Sequence, residues 1–270
     1  MNGKLIAQKL RKGERVYGTH VLTASNPIAA KIQHDISYDF VFICTEHIPV
    51  DRTEVSYLCQ LYSGYGISPM VRIPSPDPTY AAMAIDGGAE GIVVPYLETV
   101  KQAKSIIGAV KYRPLKGKKL KDILKGKTAI NEETTDFIRS FNKNNYLIIG
   151  IESVEGYNNL DSLLELDEID GIFIGPHDLS ISMEIPVQYK NPEFIRVITD
   201  IINRCRNANK GVGLHVSQSI YTDEYIMDTF IDQGMNFILY GSDITLLKRE
   251  MEQNLSRMRE RYNDTYERND

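Results

Sequence analysis

Cysteine is scarce in this chain. Three are present in 270 residues (Cys44, Cys59 and Cys205), an odd number at wide spacing. That argues against a disulfide framework and suits a reducing, cytoplasmic setting. Positive charge is not in excess either: 31 Lys and Arg stand against 36 Asp and Glu, a formal net charge of −5. The basic face that nucleic acid favours is therefore not expected. No window reaches the ~20 apolar residues of a membrane span, so no membrane partner is expected. The opening MNGKLIAQKLRKGERVYG carries lysines but no apolar core of signal-peptide length. Internal repeats and a second domain are also missing.

What is present is a series of short apolar runs with helical patterns between them. Strands are expected at Val16–Val21, Phe40–Ile43, Ser68–Arg72, Gly91–Val94, Leu147–Ile151, Gly171–Ile174, Gly211–Val216 and Asn236–Tyr240. The runs are continuous rather than alternating, as strands covered on both faces should be. Strands alternating with helices imply βαβ units and a parallel sheet. Eight such units in a chain near the ~250 residues of a typical α/β barrel predict a (β/α)8 TIM barrel, one domain over residues 1–270 with an extra C-terminal helix. Asn26-Pro27 and Asp77-Pro78 open helices with a capping side chain and a proline at the first helical position. Gly87-Gly88 stops the second of these after Asp86. The lysine-rich segment Tyr112–Lys127 is expected as a basic loop. It is either simply solvated or a lid that brings positive charge to an anionic substrate. A polar tail, Asn263–Asp270, ends the chain.

In barrels of this kind reactive side chains gather where strands meet the following loops. The second expected strand runs into Cys44-Thr45-Glu46-His47, the third ends on Arg72 and the fifth on Glu152. The sixth runs into Gly175-Pro176-His177-Asp178, the seventh contains His215, and the eighth leads to Gly241-Ser242-Asp243. A base, a cation and two carboxylates thus converge on one face. Glu152 alone would pass for a helix cap. Paired with Asp178 on the adjacent strand it makes a cradle for a hard divalent cation. His47 is either a structural histidine or, beside Glu46, a general base. Arg72 suits a carboxylate or enolate. His177 either meets substrate or points away from it; His20 and His34 are given no role. No lysine lies at a strand's end, and Lys210 precedes its strand, so a Schiff-base mechanism has no nucleophile here. Carbonyl chemistry would then need a metal to polarise the substrate.

These residues resemble the HpcH/HpaI family of class II, metal-dependent pyruvate aldolases. The resemblance runs from Gly18 to about Leu247. It rests on Glu46-His47-x-Pro49, Val71-Arg72-x-Pro74, Asp86-x-Gly88-Ala89, Ile151-Glu152, Ile174-Gly175-Pro176-x-Asp178-Leu179-Ser180 and Asp243-x-Thr245-Leu246-Leu247. It implies that Glu152 and Asp178 bind Mg²⁺ or Mn²⁺, with Co²⁺ also possible. Arg72 would stabilise an enolate, and His47 would take the proton of the aldol hydroxyl. Asp86 would raise the basicity of His47, while Gly150, Gly175, Pro176 and His177 would border the substrate. The implied reaction is cleavage of a 4-hydroxy-2-oxo acid to pyruvate or a related 2-oxo acid plus an aldehyde. Asp86 closes a helix that leads back to the strand bottoms, whereas His47 belongs at the tops. That distance predicts a homo-oligomer with active sites near subunit interfaces. The chain departs from the family pattern at four places. Cys44 stands where Asp is usual, Gly150 where Gln is usual, His177 where a small residue is usual, and the lysine-rich Lys116–Lys119 where an Arg-Gly loop is usual. The first two motivate an alternative, a catalytically impaired barrel that binds a 2-oxo acid or acts as a regulatory subunit. The presence together of His47, Arg72, Glu152 and Asp178 opposes it.

Overall fold

Parallel strands buried on both faces form where apolar residues run without interruption, and eight such runs close on themselves in chain order. The computed structural model describes residues 1–216 and 224–264, without the side chains of 215, 216 and 224–227. The strands are β1 (Val16–His20), β2 (Phe40–Cys44), β3 (Ser68–Arg72), β4 (Gly91–Val94), β5 (Tyr146–Ile151), β6 (Gly171–Ile174), β7 (Gly211–Val216) and β8 (Phe237–Ser242). Each pairs in parallel with the next, and β8 returns to β1, so the sheet is a closed barrel. The expected bounds hold to within two residues. Asn236, expected to begin the last strand, precedes it. Its amide accepts from the Val212 N–H and donates to the carbonyls of Leu10 and Glu14, pinning the turn.

The helices are α1 (Gly3–Lys12), α2 (Pro27–Asp35), α3 (Arg52–Gly64), α4 (Pro78–Asp86), α5 (Val100–Lys111), α6 (Gly117–Leu124) and α7 (Glu132–Phe141). After β5 come α8 (Val154–Asn158) and α9 (Leu160–Leu164), then α10 (Pro176–Ser182), α11 (Pro192–Asn207), α12 (Glu224–Asp232) and α13 (Asp243–Tyr262). Asn26 and Asp77 cap α2 and α4, each with proline in the first turn. Among the described residues no helix is long and apolar enough to cross a membrane. The expected basic loop is corrected in part: residues 117–124 are helical. Leu120 and Leu124 lie one turn apart and seat against Gly108 of α5, where a β-carbon would fall 2.9 Å from Leu124. This local apolar pair outweighs the lysines between them. Most of the expected polar tail, residues 265–270, lies outside the described residues.

The alternation of side chains along each strand divides the core in two. Phe40, Phe42, Met70, Val93, Tyr146, Ile148, Phe173 and Phe237 point inward and fill the barrel. Ile6 and Leu10 of α1 join them, so this helix plugs the bottom. The outward set, including Val41, Val71, Ile92, Ile149 and Ile172, packs under the helices.

Asp170, which precedes β6 and is buried, holds the bottom together. Its carboxylate accepts from Arg11 Nη2 (2.8 Å), Lys111 Nζ (2.6 Å) and the Leu147 N–H (2.9 Å), tying α1 and α5 to β5. Lys210 lies nearby, and burial lowers its pKa to about 8. A depressed lysine suits Schiff-base chemistry, but its Nζ donates to the carbonyls of Leu166, Asp167 and Ile169 at the wrong end of the barrel. Its role is structural. Replacing Asp170 by Ala strands two cations against the barrel floor and should cost about 3–5 kcal/mol. The checking measurement is the urea midpoint; a change under about 1 kcal/mol would show that the bottom does not depend on this carboxylate.

Candidate active site

The register between β2 and β3 sets Cys44 directly opposite Arg72. Both lie at the strands' C-terminal ends, and Cys44 shares the inward face with Phe42, two residues earlier. Arg72 Nε and Nη2 donate to Cys44 Sγ at 3.3 and 3.2 Å. Its guanidinium lies 5.6 Å from the centre of the Phe42 ring, a cation–π approach. Nε also stands 3.1 Å from Glu46 Oε2. Arg72 is thereby boxed in, with 11% of its side chain exposed. Cys44 Sγ further accepts the backbone N–H of His47 at 3.4 Å.

Glu152 follows β5 directly and is 93% buried, being 7% exposed. Two glycines make room for it. A β-carbon at Gly175 would fall 2.7 Å from Glu152 Cγ, and one at Gly150 would fall 3.0 Å from Oε1 and 2.8 Å from the Val94 carbonyl. Space that a side chain at 150 would take is used by Glu152 itself. Oε1 has no hydrogen-bond partner in the protein. Burial pushes the carboxyl up to about 7; Arg72 opposes the shift, whereas Glu46 and Asp178 add to it, and the Tyr96 backbone N–H favours the charged form. Tyr96 holds a left-handed φ of 32° and its hydroxyl donates to the Pro74 carbonyl at 3.2 Å. Strained backbone of this kind concentrates at functional sites.

Asp178 lies in the first turn of α10, exposed, with Pro176 buried at the helix's first position. Its charge is felt by Glu152 and by Tyr189. The structure therefore brings together Arg72, Glu152, Asp178, Gly150 and Gly175, with Glu46 and Cys44 beside them. His47 stands at the rim with 62% of its side chain exposed, Nε2 3.7 Å from Glu46 Oε2. His177 is exposed on α10. Asp86 is not brought to His47 within the chain. It closes α4 at the opposite end of the barrel and pairs with Arg113. Asp243 is structural: its carboxylate accepts the N–H groups of Leu22, Thr23 and Ala24, fastening the β1–α2 loop. His20 sets its ring edge-on against Phe42. The side chain of His215 lies outside the described residues.

Three contributors gave little signal in the sequence. Glu46 and Cys44 are linked to Arg72 only through strand register, and Tyr96 through a backbone angle. Among the described residues no group of three or more His, Cys, Asp or Glu is placed to hold a metal ion. The donor set is two carboxylates, one of them buried with a vacant oxygen. Mg²⁺ in particular is held by one or two carboxylates with water and substrate completing its shell, so the residues fit such an ion.

Residues 20–249 match the model of the HpcH/HpaI aldolase/citrate lyase family. The chain belongs to this family. It is 28% identical over 244 residues to a hydroxypyruvate/pyruvate aldolase of Pseudomonas aeruginosa, covering 90% of this chain and 88% of that one. It is also 28% identical over 247 residues to a 2-keto-3-deoxy-L-rhamnonate aldolase of Salmonella gallinarum, covering 92% and 90%. In fold it resembles the HpcH/HpaI aldolase from Desulfitobacterium hafniense, with a TM-score of 0.77, 22% identity and coverage of 94% and 96% of the two chains. The citrate synthase SbnG shares the same fold at TM-score 0.77 and 22% identity, covering 96% and 98%. Aldolase or lyase chemistry is thus the activity class of this HpcH/HpaI member.

A raised carboxyl pKa has a direction in stability. The folded value of Glu152 is about 7 against an ordinary 4.5. Metal-free native protein therefore holds a proton that the unfolded chain has released, and the burial cost grows from about pH 4.5 and is complete above about 7. In metal-free protein Glu152→Gln should match wild type near pH 4.5 and become more stable than it by pH 8, by roughly 3 kcal/mol. Parallel denaturation midpoints for the two proteins across that range would contradict this.

Proposed function

We propose that the chain is a divalent-metal-dependent aldolase that cleaves 4-hydroxy-2-oxo acids to pyruvate, or a related 2-oxo acid, and an aldehyde. The observation that carries this is the buried Glu152 carboxylate, one oxygen unpartnered, with Asp178 beside it and the Arg72 guanidinium opposing its pKa rise. Glu152 and Asp178 would hold Mg²⁺ or Mn²⁺, and Co²⁺ fits the same donors. When bound, such an ion supplies Lewis-acid stabilisation of negative charge on the 2-oxo acid. Arg72, fixed by Phe42, Cys44 and Glu46, presents its remaining N–H groups to the substrate's oxygens. Gly150 and Gly175 make the room that Glu152 occupies, and with Pro176 they would border the substrate. His177 stands at the entrance. His47 accepts the proton of the 4-hydroxyl as the carbon–carbon bond breaks. The name of the Pseudomonas aeruginosa relative, a hydroxypyruvate/pyruvate aldolase, supports a pyruvate-type 2-oxo acid, and that of the Salmonella gallinarum relative supports a 2-keto acid substrate. With the Arg72, Glu152 and Asp178 grouping intact, nothing favours a barrel that only binds.

Asp86 would serve His47 from a neighbouring copy in a homo-oligomer. The support is an apolar stripe that this chain leaves uncovered. On α13, Ile244, Leu247, Met251, Leu255, Met258 and Tyr262 follow at spacings of three and four, all exposed, and no residue of that helix is buried. On α2, Ile28 and Ile32 are exposed in the same way, as is Ile36 directly after the helix. A groove bordered by Ile32, Ile36, Leu246 and Leu247 joins the two helices. Helices in proteins draw most of their stability from packing an apolar face, and α13 buries no residue within this chain, so a reciprocal pairing that covers both stripes is the expected state. The three cysteines are free and buried, which accords with a reducing cytoplasm.

Chelator-treated protein should release no pyruvate from 4-hydroxy-2-oxo acids, and Mn²⁺ or Mg²⁺ should restore release. Asp178→Ala should abolish it through loss of the ion. His47→Ala should slow cleavage by about 10²–10⁴-fold while leaving proton exchange at the methyl group of pyruvate largely intact. Pyruvate release that persists in rigorously metal-free protein, or none under any metal, would overturn the proposal. Sedimentation should show an oligomer that Met251→Glu combined with Leu255→Glu dissociates; a wild-type monomer would contradict the shared site.

A further inference from the structure

Arg72 is held by an ion-pair contact with one group and by hydrogen bonds to another. Glu46 Oε2 lies 3.1 Å from Nε, and Cys44 Sγ takes N–H bonds from both Nε and Nη2 at 3.3 and 3.2 Å. The same sulfur accepts the His47 backbone N–H, so one atom fixes the cation and the start of the loop bearing the proposed base. Cys44 is 1% exposed, and the β2–β3 register gives it no other position relative to Arg72. Across the cup stands the unpartnered Oε1 of Glu152, itself buried, which marks the space where a ligand completes the site.

We infer that Cys44 is a positioning residue that aims the Arg72 fork with a neutral acceptor, keeping the guanidinium charge available to an anionic ligand group. The inference deepens the proposed function and rests on its anionic 2-oxo acid. A thiol suffices to orient two N–H groups, but it neutralises little of the charge behind them. A carboxylate at this position would grip the fork as a charge-assisted pair. Arg72 would then answer to two acids at once. The cup already holds three acids: Glu46, 3.1 Å from Nε, with the buried Glu152 and Asp178 in the first turn of α10. A fourth acid would favour any cation there and oppose any anion. The thiol separates two tasks that a carboxylate would merge: it sets geometry and leaves the electrostatic balance to the other three acids.

The test is calorimetric titration of the full-length protein with Mn²⁺, and then with oxalate, a planar dianion that resembles the enolate of a 2-oxo acid, in the presence of Mn²⁺. Cys44→Ser keeps a neutral acceptor and should bind both within about threefold of wild type. Cys44→Ala frees the fork and should weaken oxalate by about tenfold with Mn²⁺ unchanged. Cys44→Asp should move the two in opposite directions, tightening Mn²⁺ several-fold and weakening oxalate about tenfold or more. A merely structural role would lower both affinities together in every variant. Should Cys44→Asp fail to fold, the Ala and Ser pair decides: oxalate affinity in Cys44→Ala equal to wild type overturns the inference. Wild type that takes up Mn²⁺ and oxalate while the variants show no split overturns the role of Cys44 alone. Wild type that takes up neither overturns the proposed function, and this inference with it.

Discussion

A carboxylate enclosed in protein with one oxygen unanswered is costly, and the upper half of this barrel is arranged around that cost at Glu152. Gly150 and Gly175 open the space it occupies; any side chain at either place would press on it. Burial raises its pKa, and Arg72 only partly offsets that rise, because Arg72 is shared with Glu46 and oriented by Cys44. A buried polar group left unsatisfied is uncommon in folded proteins and calls for an explanation. A cation supplies one that also accounts for Asp178 at the start of α10.

The two ends of the barrel resolve buried charge in opposite ways. At the bottom, Asp170 is answered by Arg11, Lys111 and a backbone N–H, and Lys210 by three carbonyls. These two charges are fully answered, and that end serves stability. At the top, Glu152 keeps a vacant oxygen and His47 is open to solvent. Incomplete satisfaction where strands end is how a rigid scaffold reserves a place for a ligand.

The strands were legible because a parallel barrel buries them on both faces, which leaves unbroken apolar runs in the chain. Asn236 was misplaced because its side chain, rather than its backbone pattern, decides where β8 begins. Helix α1 escaped notice: Ile6 and Leu10 are buried, but two residues among lysines make a weak stripe, and their role as a plug depends on the closed barrel. Helix α6 was hidden by its lysines for a similar reason. In the site, the rule that chemistry collects at strand ends was enough to bring Arg72, Glu152 and Asp178 together. It also placed Asp86 at the far end, where the structure pairs it with Arg113. Cys44 and Glu46 as partners of Arg72 could not be foreseen without the strand register, which no local pattern encodes.

Family membership sets the class of chemistry. The most direct measurement of the central claim is the number of protons released when Mn²⁺ binds, obtained by calorimetry in buffers of different ionisation enthalpy. If Glu152, with its carboxyl raised to about 7, is a ligand, binding near pH 6 should release about one proton per site. The number should fall towards zero above about pH 8, where the group is already ionised. Mn²⁺ binding with no proton release at pH 6, or no binding at any pH, would contradict the account.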